Sequence, residues 1–309
     1  MQDLGRRGYQ SIGLNPNGVM DHISMRLINI LLGNAENEAV IEFHYPTPMI
    51  SFEEQALIAI GGADFSPSLN NKPLENWKVY VVGPGDMLTF GKKVKGERAY
   101  LSVKGGFKFP KILDSSSTNL SAGFGGIKIA KGFSVELKLK NGTVVEAANK
   151  IKISPRTVNV ALRPYIKIEQ EIRIIGGAEL DSLDAESCHR IFGQRFIVSA
   201  HSNRMGYRLE GDCLKQQDDY ADNISSSVVF GTVQLLPNGQ LVILMADHQT
   251  TGGYPKLGSV ISTDLPILAQ LSVGQYIRFR EISIDVAERI VEKQEREIRK
   301  FKAAVKFYA

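Results

Sequence analysis

Apolar and polar positions change period several times along the chain, and each change predicts an element. Behind Asp21, a plausible N-cap, Ile23, Leu27, Ile30 and Leu31 recur at helical spacing, and Gly33 or Asn34 can end that helix in the left-handed conformation. From residue 39 to 101 the period shortens. The runs Val40–His44, Ala56–Ile60, Lys78–Val82 and Ala99–Val103 predict strands, separated by Gly61-Gly62, Asn70-Asn71, Gly83-Pro84-Gly85 and Gly91. Gly85-Asp86-Met87-Leu88 reads as a turn into a further strand. Val135, Leu137 and Leu139 alternate with Glu136 and Lys138 ahead of Asn141-Gly142, a hairpin pattern.

The second half repeats this style. Ile172–Ile175, Phe196–Ser199, Val228–Leu236, Leu241–Met245 and Tyr276–Phe279 predict strands. Leu180–Phe192 predicts a polar helical stretch, and a short helix starts near Asp264. A charged helix then runs from Val286, with Val286, Ile290, Ile298, Phe301 and Val305 along one stripe, whose ordinary role is packing. Short strands with frequent turns indicate a mainly β protein with a few helices. The length, 309 residues, favours two domains. The polar stretch 146–165, with Pro155 and Pro164, supplies the boundary. The expected division is 1–155, 156–285 and a C-terminal charged helix over 286–309.

Composition narrows the class. Hydrophobic content of 43% and charged content of 23% fit a soluble globular protein. The net charge of +4 is too small to argue for nucleic acid. Neither Cys188 nor Cys213 belongs to a C-x-x-C pair, so no metal or redox motif appears, and reduced thiols in a cytoplasmic setting are expected. No apolar run approaches the ~18 residues of a membrane helix. No signal peptide is visible.

Candidate chemistry concentrates in Asp247-His248-Gln249-Thr250-Thr251-Gly252-Gly253-Tyr254-Pro255-Lys256, directly after an apolar strand. Gly252 and Gly253 permit close approach of backbone N–H groups, Thr250 and Thr251 bring hydroxyls, and Lys256 brings a charge. The plainer alternative is a hairpin loop with turn glycines. Arg204 and Arg208, four apart around Gly206-Tyr207, form a clamp for planar anions if they face a cleft, and are surface charges otherwise. The run Asp114-Ser115-Ser116-Ser117-Thr118, close to Gly123-Phe124-Gly125-Gly126, is either an anion site or a flexible surface loop. Gly91–Gly96 has nucleotide-loop glycine spacing without the following Lys-Ser/Thr. None of the five histidines has metal-ligand spacing, and His248 stands out by its place in the Gly/Thr stretch. The residues by themselves reach a two-domain β-rich protein with an anion-friendly loop cluster.

Several stretches together resemble one family. Gly5-Arg6-Arg7-Gly8-Tyr9-Gln10 with Asn15-Pro16-Asn17-Gly18-Val19-Met20-Asp21, then Asn29 and Leu32-Gly33-Asn34, are similar to the opening of one family with several names: the C subunit of 5-oxoprolinase, biotin-dependent carboxyltransferase, or allophanate hydrolase subunit 2. Tyr100–Gly106, residues 116–118 and Gly125-Gly126 resemble its middle. Arg204–Gly211, Gly231–Gln234 and Asp247–Lys256 resemble its second half. The resemblance implies two cyclophilin-like β-barrel domains and a site formed with a partner subunit of related fold. In the 5-oxoprolinase branch, subunits A and B join this chain, B as the direct partner, and the complex opens 5-oxo-L-proline to L-glutamate using ATP, with or without Mg. In the urea carboxylase branch, a carboxyl group moves from biotin to urea. A third branch resembles Kip-type regulators without turnover of their own.

The separate-subunit 5-oxoprolinase is the first choice, because the chain carries no fused carboxylase or biotin-carrier segment. On this reading Arg204, Asp247 and Asp21 are the catalytic candidates. Tyr207, Arg208, Thr250, Thr251, Gly252, Gly253, Tyr254, Lys256, Ser117 and Thr118 are the substrate-binding ones, and no metal ligand is expected. The family also has a further strand before Gln2, so an upstream start or an open sheet edge is expected. Lys128 and Gly132-Phe133 stand where relatives place Arg and Gly-Asp.

Overall fold

The structure is a computed structural model. It describes the chain apart from residues 121, 127, 140–156, 165–166, 218–223 and 308–309. The expected turn at Asn141-Gly142 and most of the expected boundary segment lie outside the described residues. The fold is mainly β with helices, and it divides into two compact units. The first comprises Met1–Gly5, Asp21–Tyr165 and Gln294–Ala309, and the second Arg6–Met20 and Ile166–Lys293. Segment 6–20, expected in the N-terminal domain, therefore belongs to the second unit, and the last helix is shared between the two assignments.

The first unit is built on helix α1 (His22–Leu31) and strands β1 (Ile41–His44), β2 (Ile50–Ser51), β3 (Ala56–Asp64), β4 (Pro67–Leu69), β5 (Lys72–Pro73), β6 (Val79–Val82), β7 (Met87–Phe90) and β8 (Lys95–Val103). These form two four-stranded sheets, β1-β8-β3-β6 and β2-β7-β4-β5. One core joins them: Ile58, Ile60, Val82 and Leu101 from the first sheet meet Leu88, Ile50 and Leu69 from the second. Asp21 caps α1, its Oδ1 accepting from Ser24 N at 2.8 Å, and Gly33 leaves the helix at φ 68°. The helix packs on β3 and β8. Gly61 permits that approach, since a Cβ there would lie 2.6 Å from the Ile28 side chain and 2.9 Å from Trp77. Asn29 and Asn34 are structural: Asn29 donates to Glu38 O and accepts from Ser102 Oγ, while Asn34 donates to Val103 O and accepts from Gly105 N.

The second unit holds strands β9 (Glu169–Gly176), β10 (Phe196–Val198), β11 (Gly206–Glu210), β12 (Ser226–Ser227), β13 (Thr232–Leu235), β14 (Leu241–Leu244), β15 (Thr251–Gly252), β16 (Lys256–Val260) and β17 (Tyr276–Glu281). Seven close into a barrel in the order β10-β11-β14-β13-β16-β9-β17. All neighbours are antiparallel except β9 and β17, which run parallel. Closure leaves this sheet without an open edge. Its interior carries Ile172, Ile174, Tyr207, Leu209, Val233, Ile243, Leu257, Ile277 and Phe279. Helix α2 (Ala185–Gly193) is capped by Asp184, which accepts from Ser187 N at 2.7 Å. Helix α3 (Leu265–Ala269) is tied to β9 because fully buried Asp264 accepts from both Arg173 N and Arg173 Nε. β12 and β15 pair as a separate two-stranded ribbon.

The last helix, α4 (Ile284–Phe307), buries Ile298 and Val305 from the expected stripe. In the first unit its Glu295 takes both terminal nitrogens of Arg26, at 2.5 and 2.7 Å. Glu36 in turn accepts from Arg26 Nε and Lys302. The charged face is thus an ion network anchoring the helix to α1, and the Glu295 hydrogen bond raises the Arg26 pKa further above its already basic value. Among the described residues, no helix is long and apolar enough to cross a membrane.

Candidate functional site

The stretch after β14 turns inward before it turns out. Asp247 and His248 are 5% and 3% exposed, whereas Gln249, Thr251 and Tyr254 are exposed. Asp247 meets Arg204, which precedes β11: Nε donates to Oδ2 and a terminal nitrogen to Oδ1, both at 2.9 Å. The register explains the meeting. β11 and β14 pair with Gly206 opposite Leu244, so the residues just outside that pair emerge side by side, and Asp247 N donates to Arg204 O at 2.8 Å. Segment 6–20 closes the cluster. The same Arg204 nitrogen donates to Asn17 Oδ1 at 3.1 Å and Gly18 O at 2.6 Å, and Asn15 Nδ2 donates to His248 O at 2.7 Å. Asn17 sits at φ 55° and Gly18 at φ 101°, a local left-handed turn that Asn tolerates better than most side chains. Since a guanidinium only donates, it fixes which end of the Asn17 amide is oxygen. Asn17 Nδ2 faces the other way, buried, with no partner among the described residues.

His248 Nδ1 contacts Gln249 O. A carbonyl only accepts, so Nδ1 carries the hydrogen and Nε2 keeps its lone pair. Burial holds the imidazole pKa below its ordinary 6.5, against smaller opposing effects of the Gln249 carbonyl and the Asp247 charge. The ring is therefore neutral at pH 7. Between its lowered value and 6.5, the unfolded chain takes a proton that the folded chain refuses. The stability tied to neutral His248 is complete above 6.5 and is lost as pH falls toward the folded value, at up to about 1.4 kcal/mol per pH unit. The loss of urea resistance from pH 7 to pH 5.5 should accordingly be smaller in His248→Gln than in the parent. An equal loss in both would sink this assignment.

The exposed part of the loop is a ribbon edge. Thr251 and Gly252 pair with Ser227 and Ser226, and Val228 N donates to Thr250 O. Gly252 is required where it stands, because a Cβ would lie 2.6 Å from Nε2 of buried Gln234, which donates to Tyr254 O at 3.4 Å. Gly253 and half-exposed Tyr254 follow. Lys256 starts β16 with its backbone N–H and its ammonium both directed at Glu179, the ammonium 3.8 Å from Oε1.

Several sequence-derived roles change here. Tyr207, expected at the substrate, is a core residue, 3% exposed. β11 alternates, so Tyr207 and Leu209 point into the barrel while Arg208 and Glu210 point out. Arg204 and Arg208 do not form an anion clamp: Arg204 is committed to Asp247, and Arg208 is exposed. Asp21, 0% exposed, holds the start of α1 with both carboxylate oxygens on Ser24. Asp21, Ser117 and Thr118 belong to the first unit. The serine run there does bind an anion, but the anion is Asp3. The Asp3 carboxylate accepts from Gly5 N, Ser115 Oγ, Ser117 Oγ and Ser116 N at 2.6–2.8 Å. It is buried, neither a flexible loop nor a free ligand site. Thr118 is fixed through its backbone, its N–H on Met1 O and its carbonyl on Gln2 Nε2. Asn15, Asn17 and His248 were not among the expected site residues, although all three lie inside the stretches that carry the family resemblance.

Comparison with known proteins agrees with this architecture. The carboxyltransferase domain family, subdomain A and B, matches residues 12–281. The C subunit of 5-oxoprolinase from Haemophilus influenzae is 34% identical over 298 residues, covering 96% of this chain and 92% of that protein. Its Escherichia coli counterpart is 32% identical with the same coverage. Urea amidolyase of Lachancea kluyveri is 31% identical over 304 residues, which is 94% of this chain but 17% of that much longer protein. The crystal structure of K. lactis urea amidolyase matches with a TM-score of 0.88 at 27% identity, over 97% of this chain and 19% of that one. By both sequence and fold, the chain belongs to the carboxyltransferase domain family, subdomain A and B.

Proposed function

We propose that this chain is the C subunit of an ATP-dependent 5-oxoprolinase, a cytoplasmic complex with subunits A and B that hydrolyses 5-oxo-L-proline to L-glutamate. The observation that carries the proposal is the end-to-end match to the C subunit from Haemophilus influenzae, 96% of this chain against 92% of that protein. Urea amidolyase of Lachancea kluyveri matches at 31% identity over only 17% of its length.

The geometry supports an amide as the group acted on. Arg204 is balanced by Asp247, Lys256 by Glu179, and His248 is neutral. Such a cluster has polar donors and acceptors but little net charge of its own. It suits the uncharged amide of a lactam, whose carbonyl accepts and whose N–H donates. The paired residues Arg204–Asp247 and Lys256–Glu179 leave no unbalanced cation of their own for a triphosphate. ATP therefore enters this proposal through the complex, with no step assigned to the residues of this cluster. Exposed Arg208 and the 250–253 ribbon remain the proposed contacts for the substrate carboxylate.

Carboxyl transfer from biotin to urea is the second reading, favoured by the fold match to urea amidolyase. The two make opposite predictions for the complex reconstituted with subunits A and B. Glutamate release from 5-oxoproline that needs ATP and stops when this chain is omitted is the expected result. An assembled complex that yields no glutamate, yet consumes bicarbonate with biotin and urea, would replace the first reading by the second.

A further inference from the structure

His248 is held as a proton acceptor inside the candidate site. Asp247, the obvious base by residue type, is unsuited to that task because both its oxygens are engaged by Arg204. A carboxylate in a two-pronged guanidinium contact has its charged form stabilised and is a poorer base for it. The neighbouring imidazole is the complementary case. Its Nδ1–H is spent on Gln249 O, its backbone carbonyl is pinned by Asn15 Nδ2, and its Nε2 lone pair is left to accept. Asp247 is the charged group acting on the ring, and its charge is shared with Arg204. Asn17, a second buried polar group of the same cluster, presents an amide nitrogen without a partner among the described residues.

We propose that His248 is the proton carrier of the lactam-opening step, a role that rests on the 5-oxoprolinase reading. Water adds its oxygen to the lactam carbon. A lone pair of the water oxygen forms the new C–O bond, and the carbonyl π pair moves onto the lactam oxygen. The proton released from water passes to Nε2 while its O–H pair stays on oxygen. The oxyanion pair then re-forms the C=O bond, and as the C–N bond breaks its electron pair stays on nitrogen, which takes the proton back from Nε2. The ring ends as it began, and the balance is lactam plus water to amino acid.

The test uses the reconstituted complex. His248→Asn puts an amide N–H at the Nδ1 position, so the bond to Gln249 O is retained while Nε2 is lost. This variant should assemble normally and lose kcat by about 100-fold or more, the usual scale of general acid–base catalysis, with little change in KM. In the parent, kcat/KM should fall on the acid side of 6.5 with a single proton. The variant should lack that limb, and added imidazole should restore part of its rate. An assembled variant with parental kcat and the parental acid limb overturns the inference. So does a parent whose kcat/KM shows no acid limb over the pH range in which the complex stays assembled, a result that needs no variant to fold. If the parent complex releases no glutamate from 5-oxoproline with ATP, the underlying reading fails instead, and the two failures are told apart.

Discussion

Replacing Asp3 by Ala is expected to destabilise the first unit by roughly 2–5 kcal/mol, because the backbone N–H groups of Gly5 and Ser116 would lose their buried acceptor and neither can turn elsewhere. The hydroxyls of Ser115 and Ser117 can rotate toward new partners, which is why the figure counts two donors instead of four. The chain has one tryptophan, Trp77, 7% exposed and in the first unit, so its fluorescence reports on this unit. The Trp77 transition in urea should move to markedly lower concentration in Asp3→Ala. The serines give an internal control. Ser115→Ala and Ser117→Ala each remove a donor to Asp3, whereas the hydroxyl of Ser116 is not among them, so Ser116→Ala should cost far less. A Trp77 transition unmoved by Asp3→Ala, or a Ser116→Ala loss equal to its neighbours', would refute the internal-anion account.

This cluster marks where sequence reading ends. A serine run beside glycines shows that an anion can be held, but the anion here comes from 112 residues away in sequence, and nothing in either stretch names the other. The same limit applies to segment 6–20. Its glycines predict a loop, yet its place in the second unit follows from contacts to Arg204 and His248 that only folding creates. Local signals fared better because their physics is local. Asp21-x-x-Ser24 specifies its own cap and Gly33 its own exit. The alternation in 206–210, which was not read as a strand, separates Tyr207 from Arg208. Grouping them with Arg204 at one ligand overlooked the period of two within the strand. Five of the barrel's seven strands, β9, β10, β13, β14 and β17, were legible as apolar runs, whereas β11 and β16 were not read as strands, and closure through the parallel β9–β17 pair joins segments more than 100 residues apart and depends on tertiary packing.

Arg204→Met should be the most damaging change in the second unit. It leaves the Asp247 carboxylate, whose side chain is 2% exposed, without its guanidinium, and breaking such a pair from one side costs about 3–5 kcal/mol. It also removes the donor to Asn17 Oδ1 and Gly18 O, so segment 6–20 loses both of these hydrogen bonds and keeps the Asn15 bond to His248 O. Arg204→Lys should rescue little, because an ammonium cannot reproduce the forked contact with Asp247 and reach Gly18 as well. The informative variant is the double one, Arg204→Met with Asp247→Leu. Removing both charges removes the desolvation cost along with the attraction, so much of the stability should return in a thermodynamic cycle. Stability and function then part company. If the pair serves only to hold the loop, the double variant should regain glutamate release from the reconstituted complex along with its resistance to urea. If the pair orients His248 and Asn17 toward the amide, stability should return while kcat stays at least about 100-fold down, because misplacing a reacting group by an ångström is costly even in a well-folded protein. We expect the second outcome. Asp247 is directly followed by His248, and Arg204 directly bonds Asn17, so His248 and Asn17 are both placed by this ion pair.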